Sequence, residues 1–426
     1  MKKRLSAVCA GLLLTAALAG CAGAGEPRHA AVDKARRDAE DKKVTLKLVQ
    51  FKIEITDKVK QMAADYSKEH PNVTLEAEVS FDSATLLKTR FASGDEPDVF
   101  MVQSFTDIAD WSERLADLGR EPWMEKVAPS AVPGMTAKGR KFGFPVAFEG
   151  YGFVYNKDLF RKAGIEQVPV TLTELKQANE KLKAAGILSY NEAYNIWWVL
   201  GQHLFNLPFA YEKDALGMID KLYKGERKVT DVAAMNGFFD VLDMTVKFGK
   251  GEEAVGVTYD SQLFDFATGK TAMMQQGVWT INSIMKINPN LNMGMFAIPL
   301  TDNPDDTKLP VGVPGYYVIN KNSKHMEESK KFLEWLHQNG QKYLVDSFKL
   351  YPAFTDLKPS QELGPLASDL SAYIENNKTL PWIHPLWPSG ANREFALPLQ
   401  KYVGGLYSRE QTLKEVQDIW EARAKR

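Results

Sequence analysis

Between Val44 and Val102 the hydrophobic period of the chain switches four times, and this switching constrains the fold more than any other feature. Val44-Thr-Leu-Lys-Leu-Val-Gln-Phe51 alternates and is rich in β-branched residues, which predicts a strand. Thr56 to Glu69 carries Val59, Met62, Ala63 and Tyr66 at helical spacing, and Pro71 stops it. Val73 to Val79 reads as a second strand and Leu86 to Ala92 as a helix closed by Ser93-Gly94. Asp98 to Val102 is a short buried strand. Strand, helix, strand, helix, strand at this spacing predicts a parallel α/β sheet. Ligands of such sheets bind beyond the carboxyl ends of the strands. That rule points at Gln50 to Glu54, Ser80 to Asp82, and Gln103 to Ser104. It makes Asp82, Gln103 and Ser104 candidate binding residues.

The middle of the chain changes character. Phe142 to Asn156 reads as nearly continuous strand, with glycines at 143, 150 and 152. Thr171 to Lys183 and Ala233 to Phe248 are helix-like, and Leu263 to Phe266 is a helix end before Gly269. Met293 to Ile298 and Gly315 to Ile319 return to strand; Glu327 to Gln338 and Arg409 to Ala424 are helices. The chain has 426 residues, enough for two or three domains. No internal repeat and no long Pro- or Ser-rich linker separates them. Two lobes joined by strands fit this pattern.

The first residues read as an address. Lys2, Lys3 and Arg4 precede an apolar run from Leu5 to Ala19, shorter than the roughly 20 residues that a membrane-spanning helix needs. A basic head, a short apolar middle and a small-residue end make a signal peptide over residues 1–20. Its end, Leu18-Ala-Gly-Cys21, resembles the lipobox of bacterial lipoproteins, which implies cleavage before Cys21 and lipidation of its thiol. Cys9 and Cys21 are the two cysteines of the chain, so the body has no means of forming a disulfide, a thiolate zinc site or a catalytic thiol. Residues 21–43 are small and charged and cannot repay their ordering entropy, so they read as a tether. The formal charge is −1 and becomes −4 after cleavage, with 50 basic and 54 acidic residues; nucleic acid is a poor partner for such a chain. Lipid is the expected membrane attachment of an extracytoplasmic body.

Several segments together resemble the extracellular solute-binding proteins of carbohydrate ABC importers, the broad family that includes maltose-binding protein. Ser93-Gly-Asp-Glu-Pro-Asp-Val99 is similar to the family's segment entering a strand. Phe144 to Phe160, continuing into Lys162-Ala-Gly-Ile165, is similar to its most recognisable block. Thr171-Leu-Thr-Glu-Leu175 stands where the family usually has a Trp after the Thr, and this chain lacks that Trp. Phe266 to Trp279 resembles the stretch that supplies an aromatic ring to the cleft. The resemblance implies two α/β lobes of the type II periplasmic-binding-protein fold, closing on a ligand. Residues 44–148 with 313–355 would form lobe 1, and 149–312 with 356–426 lobe 2. Crossovers would fall near Phe148–Tyr151, Gly312–Gly315 and Ala353–Leu357. The glycines at 150, 152, 312 and 315 suit hinges, with relief of strand crowding as the other reading. The implied protein is a monomer that delivers carbohydrate to ABC permease subunits and carries no metal or cofactor.

Sugars present hydroxyls at their edges and C–H groups on their faces, so a sugar site needs aromatic plates and convergent polar groups. Glu149 stands at the first crossover beside Tyr151, as a ligand group or a strand-edge ion-pair partner, and Gly315 belongs to the second crossover. Trp279 follows Gly277 at a helix start. Asn195, Trp197 and Trp198 form a cluster in which one Trp faces the cleft and the other the core. Trp382, His384, Trp387 and Asn392 lie in a Pro-broken loop. Trp335 and Trp420 read as core, and Trp111 and Trp123 as packing or surface. Receptors for a polyamine, peptide or phosphate ester, or a secreted glycoside-active enzyme, are the competing readings. With 54 acids a glycosidase carboxylate pair is easy to imagine, but no segment displays a nucleophile elbow, a phosphate loop or His-x-x-x-His metal spacing.

Overall fold

The computed structural model describes residues 43–425. The expected signal peptide, Cys21 and nearly all of the tether lie outside these residues. In the first sheet, β1 (Val44–Gln50), β2 (Val73–Val79) and β3 (Val99–Val102) are parallel, as the opening pattern requires. A hairpin of β4 (Thr136–Ala137) and β5 (Arg140–Lys141) precedes β6 (Gly143–Pro145). The second sheet begins with β7 (Glu149–Asn156) and takes in β8 (Leu188–Tyr190), β9 (Thr271–Gly277), β10 (Met293–Phe296) and β11 (Leu309–Gly312). The chain returns to the first sheet for β12 (Tyr316–Ile319) and ends its strands in the second with β13 (Thr379–Pro381). The orders are β2-β1-β3-β12-β6 and β13-β11-β7-β9-β8, with β10 beside β7.

Each sheet has its own core. In β1, Leu46 and Leu48 point inward and meet the predicted stripe Val59, Met62 and Tyr66 of helix Thr56–Glu69, together with Phe332, Leu333 and Leu336 of helix Met326–Gln338. Around β7 the core includes Phe153, Val154, Leu175, Phe205 and Phe238. Trp420 belongs to this second core and Trp335 to the first, as expected. Helix Leu172–Ala184 opens with a reciprocal capping box: the Glu174 amide donates to Thr171 Oγ1 at 3.1 Å, and the Thr171 amide to Glu174 Oε2 at 3.2 Å.

Helix Ser83–Ser93 starts three residues before the expected Leu86, because Asp82 caps it by accepting from the Thr85 amide. Gly94 closes it at φ 77°, a conformation that costs glycine nothing.

The stretch Phe142–Asn156 is not the continuous strand that its composition suggests. It breaks after Pro145, which has no amide hydrogen to extend a ladder, and its halves belong to different sheets. Val146–Phe148 carries the chain across. There the Val146 amide donates to the Gly315 carbonyl at 3.3 Å and the Phe148 amide to the Tyr351 carbonyl at 2.9 Å. The crossing strands of the chain are thus hydrogen-bonded side by side. The glycines expected as hinges are closely packed. A Cβ on Gly312 would stand 2.6 Å from Cγ of Trp382, one on Gly150 2.7 Å from Leu370, and one on Gly152 would collide with the Phe296 carbonyl. Gly315 likewise makes room, at 2.8 Å, for the Phe51 ring.

Candidate functional site

A cavity of about 710 Å³ lies where the carboxyl ends of β1, β2 and β3 face the second sheet and the Pro-broken loop. Its floor carries charge. Gln50, buried at the end of β1, accepts from the Lys52 amide at 2.6 Å and donates to the Lys52 carbonyl at 3.2 Å, which aims the lysine side chain inward. Lys52 Nζ lies 2.7 Å from Glu54 Oε1 and also bonds Glu149, the first residue of β7. All three side chains are less than a tenth exposed. Burial lowers the proton affinity of Lys52, but Glu149 and Glu54 outweigh it and hold the ammonium above its ordinary range.

Aromatic rings wall the side of the second sheet. Trp279 lies just past β9 and folds back over Gly277, where any side chain would occupy the place of its ring. Trp198 stands edge-on to Trp279 at 6.2 Å and to Tyr259 at 5.7 Å. His203 sits 5.0 Å from Trp279 and 5.9 Å from Trp382, and His384 is 5.3 Å from Trp382. A π-helical segment, Val199–Leu204, carries His203 to this position. Burial pushes the His203 imidazole down to about 3, and burial together with His203 pushes His384 well below its usual value, so both rings are neutral. The indole N–H of Trp382, both ring nitrogens of His384 and Nδ1 of His203 have no protein partner. Uncharged rings with unused polar atoms suit a neutral polyhydroxylated ligand.

The rim joins the two sides. Arg393 Nη2 lies 3.1 Å from Asp82 Oδ1, and the guanidinium stacks 5.2 Å above the Trp197 ring. Thr106 Oγ1 lies 2.7 Å from the Pro385 carbonyl. Asn392 donates to Gln202 at 3.3 Å. Asp107 accepts from the Gln103 amide, and burial pushes its carboxyl up to about 6.

Of the residues singled out from the sequence, Asp82, Gln103, Ser104, Glu149, Trp197, Trp198, Trp279, Trp382, Trp387 and Asn392 line this cavity. Three others do not. Tyr151 is fully buried beneath His203, its ring stacked at 4.6 Å. Its hydroxyl donates to the His203 carbonyl and accepts from Asn206, whose Oδ1 takes the amides of Ile383 and His384. It therefore supports the wall without facing a ligand. Asn195 is exposed and borders a separate surface depression with Glu252, Glu253 and Gln400. Gly315 packs on Phe51 behind the cavity. Two expectations on tryptophan also change. Trp197 and Trp198 both line the cavity, because Trp197 is held out at the rim by Arg393. Trp111 lines it as well, packed on Phe91 at 4.8 Å. Trp387 contributes little more than an edge, being 1% exposed and packed on Phe205 and Phe209.

Sequence reasoning named the segments that hold Lys52, Glu54 and Phe81 without choosing these residues, and it missed His203, Tyr259 and Arg393. Arg393 had a signal in its position next to Asn392. Among the described residues, no group of His, Cys, Asp and Glu is placed to hold a metal ion.

Residues 52–343 match the family of bacterial extracellular solute-binding proteins. The chain belongs to that family. Among curated relatives it is 23% identical to the multiple sugar-binding protein of Streptococcus mutans, over 71% of this chain and 73% of that one. It is 22% identical to the melibiose/raffinose/stachyose-binding protein MelE of Bacillus subtilis, over 76% and 78%. The fold is that of two-lobe solute-binding structures. The binding protein RafE in complex with raffinose superposes with a TM-score of 0.77 at 23% identity, covering 89% of this chain and 99% of that one. A chitin oligosaccharide binding protein superposes with a TM-score of 0.78 at 21% identity, covering 90% and 100%. In this family member the matched residues begin at Lys52, on the cavity floor.

Proposed function

We propose that the chain is the substrate-binding component of an ABC importer and captures an oligosaccharide by lobe closure. The observation that carries this reading is the cavity itself: about 710 Å³, walled by Trp198, Trp279 and Trp382, with Glu54 and Glu149 on its floor. The rings offer faces to sugar C–H groups, and the carboxylates offer strong acceptors to hydroxyls. The sugar-binding names of several relatives support the same class. Residues 44–148 with 313–355 and residues 149–312 with 356–426 are the proposed lobes. Support comes from the strands, which divide between the two sheets along those boundaries. Contacts to both lobes would favour the closed state, and differential affinity sets the population shift. The closed pair of lobe surfaces would then dock on the permease.

Attachment through lipid on Cys21 is the reading of the lipobox-like segment. Among the described residues no helix is long and apolar enough to cross a membrane. Cys21→Ala should move the protein from the membrane to the soluble fraction. A thermal-shift screen over raffinose, stachyose and chitin oligosaccharides tests the ligand class. A sugar at 100 times its Kd should add about 2.7 kcal/mol of stability, whereas a shift with a polyamine or peptide and none with any carbohydrate would refute the sugar assignment.

A further inference from the structure

Behind Trp279 runs a chain of polar side chains that the cavity does not touch. The Trp279 indole N–H donates to Gln276 Oε1 at 3.0 Å, and Gln276 Nε2 to Gln262 Oε1 at 2.7 Å. Gln262 Nε2 donates to Glu192 Oε2 at 3.1 Å. Glu192 also takes the Gln275 amide on both oxygens, at 3.0 and 2.9 Å. The links come from β9, from helix Tyr259–Ala267 and from the turn after β8, and every side chain in the chain is at least nine-tenths buried. Tyr259, one helical turn before Gln262, also holds its hydroxyl near the indole.

The polarity of this chain is fixed by its indole end. An indole N–H can only donate, and this alone sets the direction even though burial pushes the Glu192 carboxyl up to about 8. Each glutamine between them must therefore turn its oxygen toward Trp279 and its amide nitrogens toward Glu192. A buried chain with this single polarity resists reversal, because any break leaves a desolvated donor or acceptor without a partner.

We infer that Glu192, Gln262 and Gln276 are positioning residues that fix the orientation of the Trp279 indole and thereby tune ligand affinity from outside the cavity. This rests on the reading of Trp279 as a ligand plate. None of the three lines the cavity, so an effect of their substitution on binding has to travel through the ring. Glu192→Leu removes both acceptor oxygens, so Gln262 Nε2 loses its partner and the chain its anchor. Gln276→Leu removes the acceptor directly at nearly equal volume.

The experiment measures two things on wild type, Gln276→Leu and Glu192→Leu, each first shown to be folded by circular dichroism. One is the ¹⁵N-indole resonance of Trp279, assigned by its disappearance in Trp279→Phe. The other is the Kd for whichever of raffinose, stachyose or a chitin oligosaccharide binds wild type tightest. Loss of one buried hydrogen bond should weaken binding roughly 2- to 10-fold, and the Trp279 resonance should move in both variants. An unmoved resonance with affinity within twofold of wild type in the folded variants would overturn the inference. If no sugar binds wild type, the sugar reading fails, while the resonance still decides whether the chain holds the ring.

Discussion

Lys52, just past the end of β1, forms a buried ion pair with Glu149, the first residue of β7, so a charge of one sheet is neutralised by a charge of the other. Glu54 shares the same ammonium. Breaking a buried pair from one side leaves the other charge desolvated, a cost of about 3–5 kcal/mol. Lys52→Met should therefore lower the urea midpoint strongly, since two carboxylates lose their common cation. Adding Glu54→Gln and Glu149→Gln should recover much of the loss. A single Lys52→Met variant as stable as wild type would mean that this lysine is not buried as described.

The two neutral histidines make the fold acid-sensitive. His203 titrates at about 3 in the folded chain against 6.5 in an ordinary environment, and His384 is shifted in the same direction. Between about pH 3 and 6.5 the unfolded chain binds a proton at His203 that the folded chain refuses. The contribution of His203 is fully present above about pH 6.5 and is lost as pH falls toward 3, at about 1.4 kcal/mol per pH unit, and His384 acts in the same direction. Denaturation curves at pH 7, 5.5 and 4.5 should show this decline. The double variant His203→Gln/His384→Gln should flatten it, leaving the part that carboxylates supply.

Arg393 and Asp82 meet across the rim, each nearly half exposed. Exposed ion pairs contribute little, so Arg393→Ala should change stability by less than about 1 kcal/mol. Its effect should appear in shape instead. Without this contact the ligand-free protein should scatter X-rays as a more open particle than wild type at low salt, and high salt should remove the difference. Equal scattering curves at low salt would show that the pair does not hold the rim.

Local pattern made much of the fold legible. Helices Thr56–Glu69 and Arg409–Ala424 and strand β2 occupy the residues that the periodicity predicts, because spacing and stop signals act within a few residues. Sheet membership is decided at long range, and so the break between Pro145 and Glu149 did not show in a run of strand-forming residues. The strand-end rule located one flank of the cavity for the same reason that it holds in any parallel sheet. It could not choose Lys52, since burying a lysine depends on Glu149 being brought to it by β7. Tyr151 misled because it shares the alternation of Glu149 yet lies two residues deeper, roofed by a histidine carried in from Val199–Leu204. Four scattered residues, Trp198, His203, Trp279 and Trp382, become one wall only after folding.

The central claim is that this wall receives a sugar, and Trp279 is where it can be tested most directly. Isothermal titration of wild type and Trp279→Ala with the best carbohydrate from the screen, at matched circular dichroism, gives the answer. The account predicts saturable one-to-one binding by wild type and at least roughly tenfold weaker binding by the variant, the loss expected for a stacking ring worth about 1.4 kcal/mol. Unchanged affinity in a folded Trp279→Ala protein would contradict it.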